Sequence, residues 1–375
     1  MGRQRFVLCI IVTGIFMFLI GVYTPANAAE TAVNGLSDYD FTELQDVIDG
    51  IFKKDELNFL DLVKKTLKGE LSVKEIASML LQACVGEIAA GRRAMLLILG
   101  IGIMAAVFHN IALAFENKQI ADTGFFVTYL AFLSITALSF MEGCQIAEEL
   151  LHRLDLFMRA LIPAFFLAVS VSAGSVSAIG FYKIMLVLLS LADSFLLRMI
   201  LPIVKLSVVI MLVNYITKEE MLSRLSKLFQ TVVSWSLKGM LTLVIGMNTM
   251  HGLVLPSVDK MKLSVLQKTV SVLPGIGNSA EAVAQLVAQS GEMIKNGIGT
   301  AAFFLIAAIV AVPVGKLGIL ILMYQLSCAM LQPVSDKRMV AALSAVCEGS
   351  RYLLQLVATT GILYIVTIAV VCAST

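Results

Sequence analysis

Two short stretches decide the fold of this chain: Leu201-Pro202-Ile203-Val204-Lys205-Leu206 and Val312-Pro313-Val314-Gly315-Lys316-Leu317. In each, a proline is followed three residues later by a lysine, and the second stretch begins 111 residues after the first. The same offset relates Leu161-Ile162-Pro163 to Val272-Leu273-Pro274. The pattern predicts a duplicated membrane unit whose centre is a proline-broken, polar-marked helix.

This internal repeat would have copies near 112–222 and 223–333, with a partial third copy in 334–375. The alternative is a chance alignment of ordinary proline-kinked helices. If the repeat is real, we expect the two proline-lysine elements to be spatially equivalent and to line one central region.

The composition indicates an all-α polytopic membrane protein. Of the 375 residues, 59% are apolar and 14% charged, whereas about 25% are charged in a soluble domain. Because about 20 apolar residues cross a bilayer, we expect six to eight spanning or re-entrant helices, near 94–114, 124–141, 161–179, 184–201, 202–216, 231–250, 299–323 and 353–373. The linkers 142–160 and 257–271 are amphipathic, which predicts helices that lie on the membrane surface.

The chain divides into three parts. Residues 1–28 resemble a signal peptide, with cleavage after Ala28 because Ala26 and Ala28 are small; an uncleaved anchor is the alternative. Residues 29–92 are expected to form an acidic helical extracytoplasmic segment, since 30–91 contain twelve Asp or Glu against six Lys. The remainder, 93–375, is the multi-span membrane domain.

Charged residues at membrane depth are the candidate functional residues. A charge at the bilayer centre costs roughly 2.5–3.5 kcal/mol on insertion scales, so such side chains pair, snorkel to the interface or face water. The candidate pathway or helix-break residues are Asp193, Arg198, Pro202, Lys205, Pro313 and Lys316. Ser170, Gly174 and Ala178 follow the small-xxx-small pattern of close helix packing; a pore lining is the alternative.

No motif indicates catalysis or a bound cofactor. The six cysteines have no paired spacing, so neither a disulfide framework nor a metal site is predicted. Gly315-Lys316 lacks the frame of a nucleotide-binding loop, and no basic aromatic patch suggests nucleic-acid binding. We therefore expect a protein that is not an enzyme and has no cofactor.

The order of these features resembles the stage III sporulation protein AE family. The resemblance is carried by Leu161-Ile162-Pro163 with its Ser/Ala/Gly run, Leu201-Pro202, Val272-Leu273-Pro274, Val312-Pro313 with Lys316, and Leu331-Gln332-Pro333. It implies a membrane subunit of a secretion-like channel complex that links mother cell and forespore and is needed for late forespore development.

The resemblance also implies a location and partners. The protein would be a multi-pass subunit in the mother-cell membrane around the forespore, with its N-terminal segment outside the cytoplasm. Its partners would be membrane lipid, the other subunits of the stage III sporulation A complex including its ATPase, and further copies of itself. Two other classes stay open: a secondary transporter or permease with proline-broken helices, and a purely structural assembly platform.

Overall fold

The computed structural model describes residues 40–51, 58–67, 95–104, 106–107, 118–173, 187–215, 222–244, 246 and 277–373. Nearly all of these are helical and none is in a strand, so the predicted all-α class is confirmed. The predicted signal peptide with its cleavage after Ala28, the small residues Gly174 and Ala178, and the linker 257–271 lie outside the described residues.

The described helices follow one another along the chain as α1 (Thr42–Ile51), α2 (Phe59–Leu67), α3 (Met95–Met104), α4 (Lys118–Ala173), α5 (Val187–Asn214), α6 (223–244), α7 (Gly277–Leu331) and α8 (Lys337–Ala373). Four stretches among them are long and apolar enough to cross a membrane: Phe126–Pro163, Val187–Asn214, Gly291–Leu331 and Lys337–Ala369.

The four long helices form one bundle. Helices α4 and α8 pack side by side, and α5 and α7 each pack on both of them, but the described part of α5 from Leu196 to Asn214 shares no extensive contact with α7. They therefore lie on opposite sides of the α4–α8 pair. Both run antiparallel to α4, as two contacts for each pair show. The Tyr324 hydroxyl donates to Ser139 Oγ at 2.7 Å, and Leu320 lies against Gly143. The Tyr129 hydroxyl donates to the Leu212 carbonyl at 3.4 Å, and Lys205 pairs with Glu148.

The expected breaks are absent at the three motif prolines that the structure describes, Pro163, Pro202 and Pro313. Pro163 and Pro313 lie inside α4 and α7, which remain helical throughout. Before Pro202, α5 contains one π-helical turn, Leu196–Ile200, in which the Leu201 N–H bonds the Leu196 carbonyl. A proline has no N–H and its ring crowds the carbonyl four residues earlier, so one widened turn lets the helix continue. The predicted spans 184–201 and 202–216 are thus a single helix.

The expectation that 142–160 forms a separate surface helix is also wrong. This segment is the middle of α4, which also absorbs the predicted spans 124–141 and the described start of 161–179. Its apolar residues Leu150, Leu154 and Phe157 are at most 1% exposed. An amphipathic stripe is common to surface helices and to helices packed on a core, so only its continuity with the flanking apolar residues could have distinguished them.

A tight turn connects α7 to α8. Pro333 follows the last residues of α7, where a proline cannot continue a helix, and the Ser335 N–H bonds the Leu331 carbonyl at 2.8 Å. Asp336 then starts α8, because its carboxylate accepts the Arg338 N–H at 2.8 Å. The Leu331-Gln332-Pro333 motif therefore forms the start of the turn between α7 and α8.

Helices α1 and α2 form a small hairpin that docks on the bundle. The Phe59 N–H donates to Gln45 Oε1 at 2.9 Å, which ties the two helices together. Leu67 lies over Gly297 of α7, where an added Cβ would come within 2.9 Å of the leucine. On the other side, Arg153 of α4 donates to the Ile51 carbonyl at the end of α1, at 3.5 Å.

Exposed apolar side chains surround the bundle end remote from this hairpin in a belt. Others lie along the rest of α4 and α5, at Leu156, Leu167, Val187, Leu191 and Met199. On α4 the belt extends from Phe126 to Met141, about 23 Å along the helix, compared with about 30 Å for a bilayer core. We define the apolar belt as Phe126, Val127, Leu130, Leu138, Met141, Leu206, Val209, Val213, Leu225, Leu228, Val232, Trp235, Leu322, Leu326 and Met330. Arg153, which holds the hairpin, is about 18 Å beyond Met141.

Candidate functional site

An ion pair connects α4 and α5 at the lysine of the first proline-lysine element, Lys205. Lys205 Nζ lies 3.1 Å from Glu148 Oε2, with the side chains 30% and 44% exposed. The predicted membrane-depth lysine is therefore paired rather than alone. Glu148 lies in the predicted amphipathic linker 142–160, and nothing in the sequence connects two residues that are 57 positions apart.

Beside this pair lies a polar groove between α4 and the end of α1. We call it the α1–α4 groove; its volume is about 570 Å³ and its lining is Gly50, Gln145, Glu148, Glu149, His152, Arg153 and Leu156. Arg153 bonds Glu149 at 2.5 Å within the helix as well as the α1 carbonyl. The groove is thus a polar surface held together by charges that pair with one another.

The two proline-lysine elements lie at similar heights in the bundle. Gly143 of α4 lies against Leu317 of α7, and Glu148, the partner of Lys205, is one and a half turns further along α4. Because α7 runs antiparallel to α4, Lys316 and Lys205 are within about 10 Å of the same height. They nevertheless stand on opposite sides of the α4–α8 pair, since α5 and α7 share no extensive contact.

Asp193 lies at a different height along α5 from Lys205, at the junction of α4, α5 and α8. Its side chain is buried at 7% exposure, and its carboxyl faces Tyr364 of α8 together with Asp155 and Arg159 of α4. Asp155 and Arg159 bond each other at 2.9 Å. Arg198, the partner suggested by sequence spacing, is exposed on the π-helical turn and makes no ion pair with Asp193.

The charged candidates therefore do not converge on one cavity. Asp193 and Lys205 are twelve residues apart on α5, about 18 Å along its axis, and Lys316 is on α7. A transporter needs polar residues that converge on one binding site, so this arrangement weighs against that class. Ser170, which the sequence predicted to take part in close helix packing, lies in the last turns of α4.

Tyrosines and cysteines complete the polar groups inside the bundle. Tyr324 and Tyr129 are 1% exposed, and both hydroxyls bond between helices; neither had a sequence signal beyond its apolar context. Cys144 and Cys347 are buried free thiols. Among the described residues, no three His, Cys, Asp or Glu side chains are grouped so that they could hold a metal ion.

The long apolar helices and the apolar belt define a helical membrane protein. The family model described as stage III sporulation protein AE matches residues 57–375, and the chain belongs to that family. Stage III sporulation protein AE of Bacillus subtilis (strain 168) is 21% identical over 270 residues, which cover 72% of this chain and 68% of that protein. No solved structure matches the chain. The family resemblance predicted from the proline motifs is confirmed, and a role in sporulation follows from it.

Proposed function

We propose that this chain is a membrane subunit of a sporulation-specific, secretion-like channel complex that links mother cell and forespore and is needed for late forespore development. The observation that carries the proposal is the family match over residues 57–375. The four long apolar helices fit a subunit that is built into a membrane. The Gly291–Leu331 helix is about 62 Å long, whereas a bilayer core is about 30 Å thick. Even when tilted, this helix would extend beyond the membrane, where other subunits of the complex could contact it.

The location that we propose is the mother-cell membrane around the forespore, with the α1–α2 hairpin outside the cytoplasm. Charge supports this orientation. At the end of the bundle remote from the hairpin, where the turn at 332–336 connects α7 to α8, Tyr129 lies close to Tyr215, Asp336 and Arg338. Basic side chains at this end, Arg224, Lys227, Lys337 and Arg338, are typical of a cytoplasmic face.

The two ends of the bundle then present different surfaces to partners. The basic end would face the ATPase of the complex, which works in the cytoplasm. The α1–α4 groove, with Glu148, Glu149 and Arg153 in its lining, would face the subunits between the two membranes. Further copies of the chain would contact the apolar belt within the bilayer.

Replacement of the chromosomal gene in a spore-forming host tests the proposal. Cells without the protein should form forespores but few heat-resistant spores, and the wild-type chain should co-purify with the ATPase of the complex. Lys337→Glu with Arg338→Glu should reduce that co-purification, whereas Lys238→Glu, a charge change elsewhere on the surface, should not. A normal yield of heat-resistant spores without the protein would contradict the proposal.

A secondary transporter is the second candidate, because a buried carboxyl such as Asp193 within spanning helices is typical of transport sites. Asp193→Asn separates the two classes. For a transporter, the variant should assemble with its partners and yet fail to support spores. For a channel subunit or a structural platform, an assembled variant should support spores at the wild-type level.

A further inference from the structure

Among the residues that the structure describes, the buried carboxyl of Asp193 has no countercharge of its own. The side chain is more than nine-tenths buried, and Oδ1 has no hydrogen-bond partner among the described residues. The titratable and charged groups that face it are Asp155 and Arg159 from α4 and Tyr364 from α8. The guanidinium of Arg159 is already bonded to Asp155 at 2.9 Å.

An ionised carboxylate in this position would be costly. Burial of an unpaired charge is so unfavourable that the group gives up its charge instead, and the neighbouring Asp155 adds a repulsion of like sign. The Tyr364 hydroxyl is a single neutral donor, which is weaker compensation than a charge-assisted pair. A proton on the carboxyl removes this charge.

We propose that Asp193 is a proton-binding site at the junction of α4, α5 and α8, and that it is protonated in the bundle as described. The proton stabilises the interface between these three helices, because its loss would leave a buried charge there. The Asp155–Arg159 pair, with side chains 28% and 66% exposed, provides a charged route from this carboxyl towards solvent. The inference goes beyond the proposed function and holds for a channel subunit and for a transporter alike.

A metal cation fits the site less well than a proton. Sodium or calcium would need about six oxygen ligands, whereas the described groups supply the Asp193 and Asp155 carboxyls and the Tyr364 hydroxyl. The guanidinium of Arg159 beside them would also repel a cation.

Infrared difference spectroscopy on the full-length protein in lipid nanodiscs tests the site. The spectrum of Asp193→Asn is subtracted from that of the wild type at neutral pH in potassium buffer. We expect the carbonyl band of a protonated carboxylic acid in the wild type, and above its midpoint we expect that band to fall about tenfold for each pH unit. Glu149→Gln, a control that removes an exposed carboxyl elsewhere on α4, should retain the band.

Three results would overturn the proposal: carboxylate bands of Asp193 at neutral pH, loss of the acid band in Glu149→Gln, or loss of the band on addition of sodium at constant pH, which would make this a sodium site. If Asp193→Asn does not fold, Asp193→Glu provides the subtraction, since its carbonyl band is displaced. A second readout needs no spectrum: the thermal stability of the wild type should decrease as the pH rises, and that of Asp193→Asn should not.

Discussion

Substitution of Gly349 by alanine should loosen the bundle at the point where three long helices meet. An added Cβ at this position of α8 would lie 2.1 Å from Val208 Cγ2 on α5 and 3.1 Å from Phe140 Cε2 on α4. A valine in a helix has one strongly preferred rotamer, so its methyl group cannot turn away. To restore an ordinary contact of at least 3.4 Å, the helices themselves must separate.

The cost follows from comparison with a matched glycine. Gly318 lies inside α7 and has nothing within 4 Å of its Cβ position, so Gly318→Ala should stabilise by up to about 1 kcal/mol through helix propensity alone. Gly349→Ala gains the same propensity term but adds overpacking of about 1–3 kcal/mol. The difference between the two variants should therefore be about 1–3 kcal/mol, with Gly349→Ala the less stable.

Unfolding in mixed micelles with increasing mole fraction of dodecyl sulfate measures this difference, with helical circular dichroism as the signal. In a Val208→Ala background the penalty of alanine at 349 should largely disappear, because the opposing methyl group is gone. If Gly349→Ala is as stable as Gly318→Ala, α5 and α8 do not cross closely at this point and the packing described is wrong.

Three further effects are expected. Asn58→Ala should lose about 1 kcal/mol of local stability, because Asn58 Oδ1 accepts the first amides of α2 at 3.0 and 3.3 Å; hydrogen exchange of those amides should accelerate, and unchanged exchange would contradict the cap. Glu148→Gln should cost less than about 1 kcal/mol, because its pair with Lys205 is partly exposed; a larger loss in the micelle titration would show a buried pair. Hydrogen bonds from Thr42 lower the pKa of Asp40 below its ordinary 3.8, so the stabilisation of the first turn of α1 is present above that pH and is lost as the pH falls through the lowered pKa. The protection of the Thr42 amide, relative to its intrinsic exchange rate at each pH, should therefore decrease on acidification, and in Asp40→Asn it should show no such step.

The sequence was sufficient to predict where helices form and which class of protein they build. Apolar runs and charged residues at membrane depth indicated a helical membrane protein, and Asp193 and Lys205 were both recognised as positions that need compensation. The proline motifs indicated the family. The internal repeat stays a prediction, although the parallel courses of α5 and α7 and the similar heights of Lys205 and Lys316 are compatible with it.

The pairing of these residues could not be predicted from the sequence. Lys205 is compensated by a glutamate 57 residues earlier and Asp193 faces a tyrosine from α8, and neither relation has a local signal. The prolines misled for a physical reason: a proline removes one donor and crowds one carbonyl, but a single π-helical turn absorbs both effects at Pro202. The sequence therefore predicted helix ends at positions where the helix in fact continues.

In the proposed orientation the apolar belt lies in the bilayer, and the hairpin and the basic residues Arg224, Lys227, Lys337 and Arg338 lie on opposite sides of it. Single cysteines at Glu43, Leu138 and Arg224 in a cysteine-free background, labelled in intact cells and in inverted vesicles, test this orientation. We expect a membrane-impermeant maleimide to label Glu43→Cys only from outside, Arg224→Cys only from the cytoplasmic side and Leu138→Cys from neither. Labelling of Glu43→Cys and Arg224→Cys from the same side, or of Leu138→Cys from either side, would contradict this orientation.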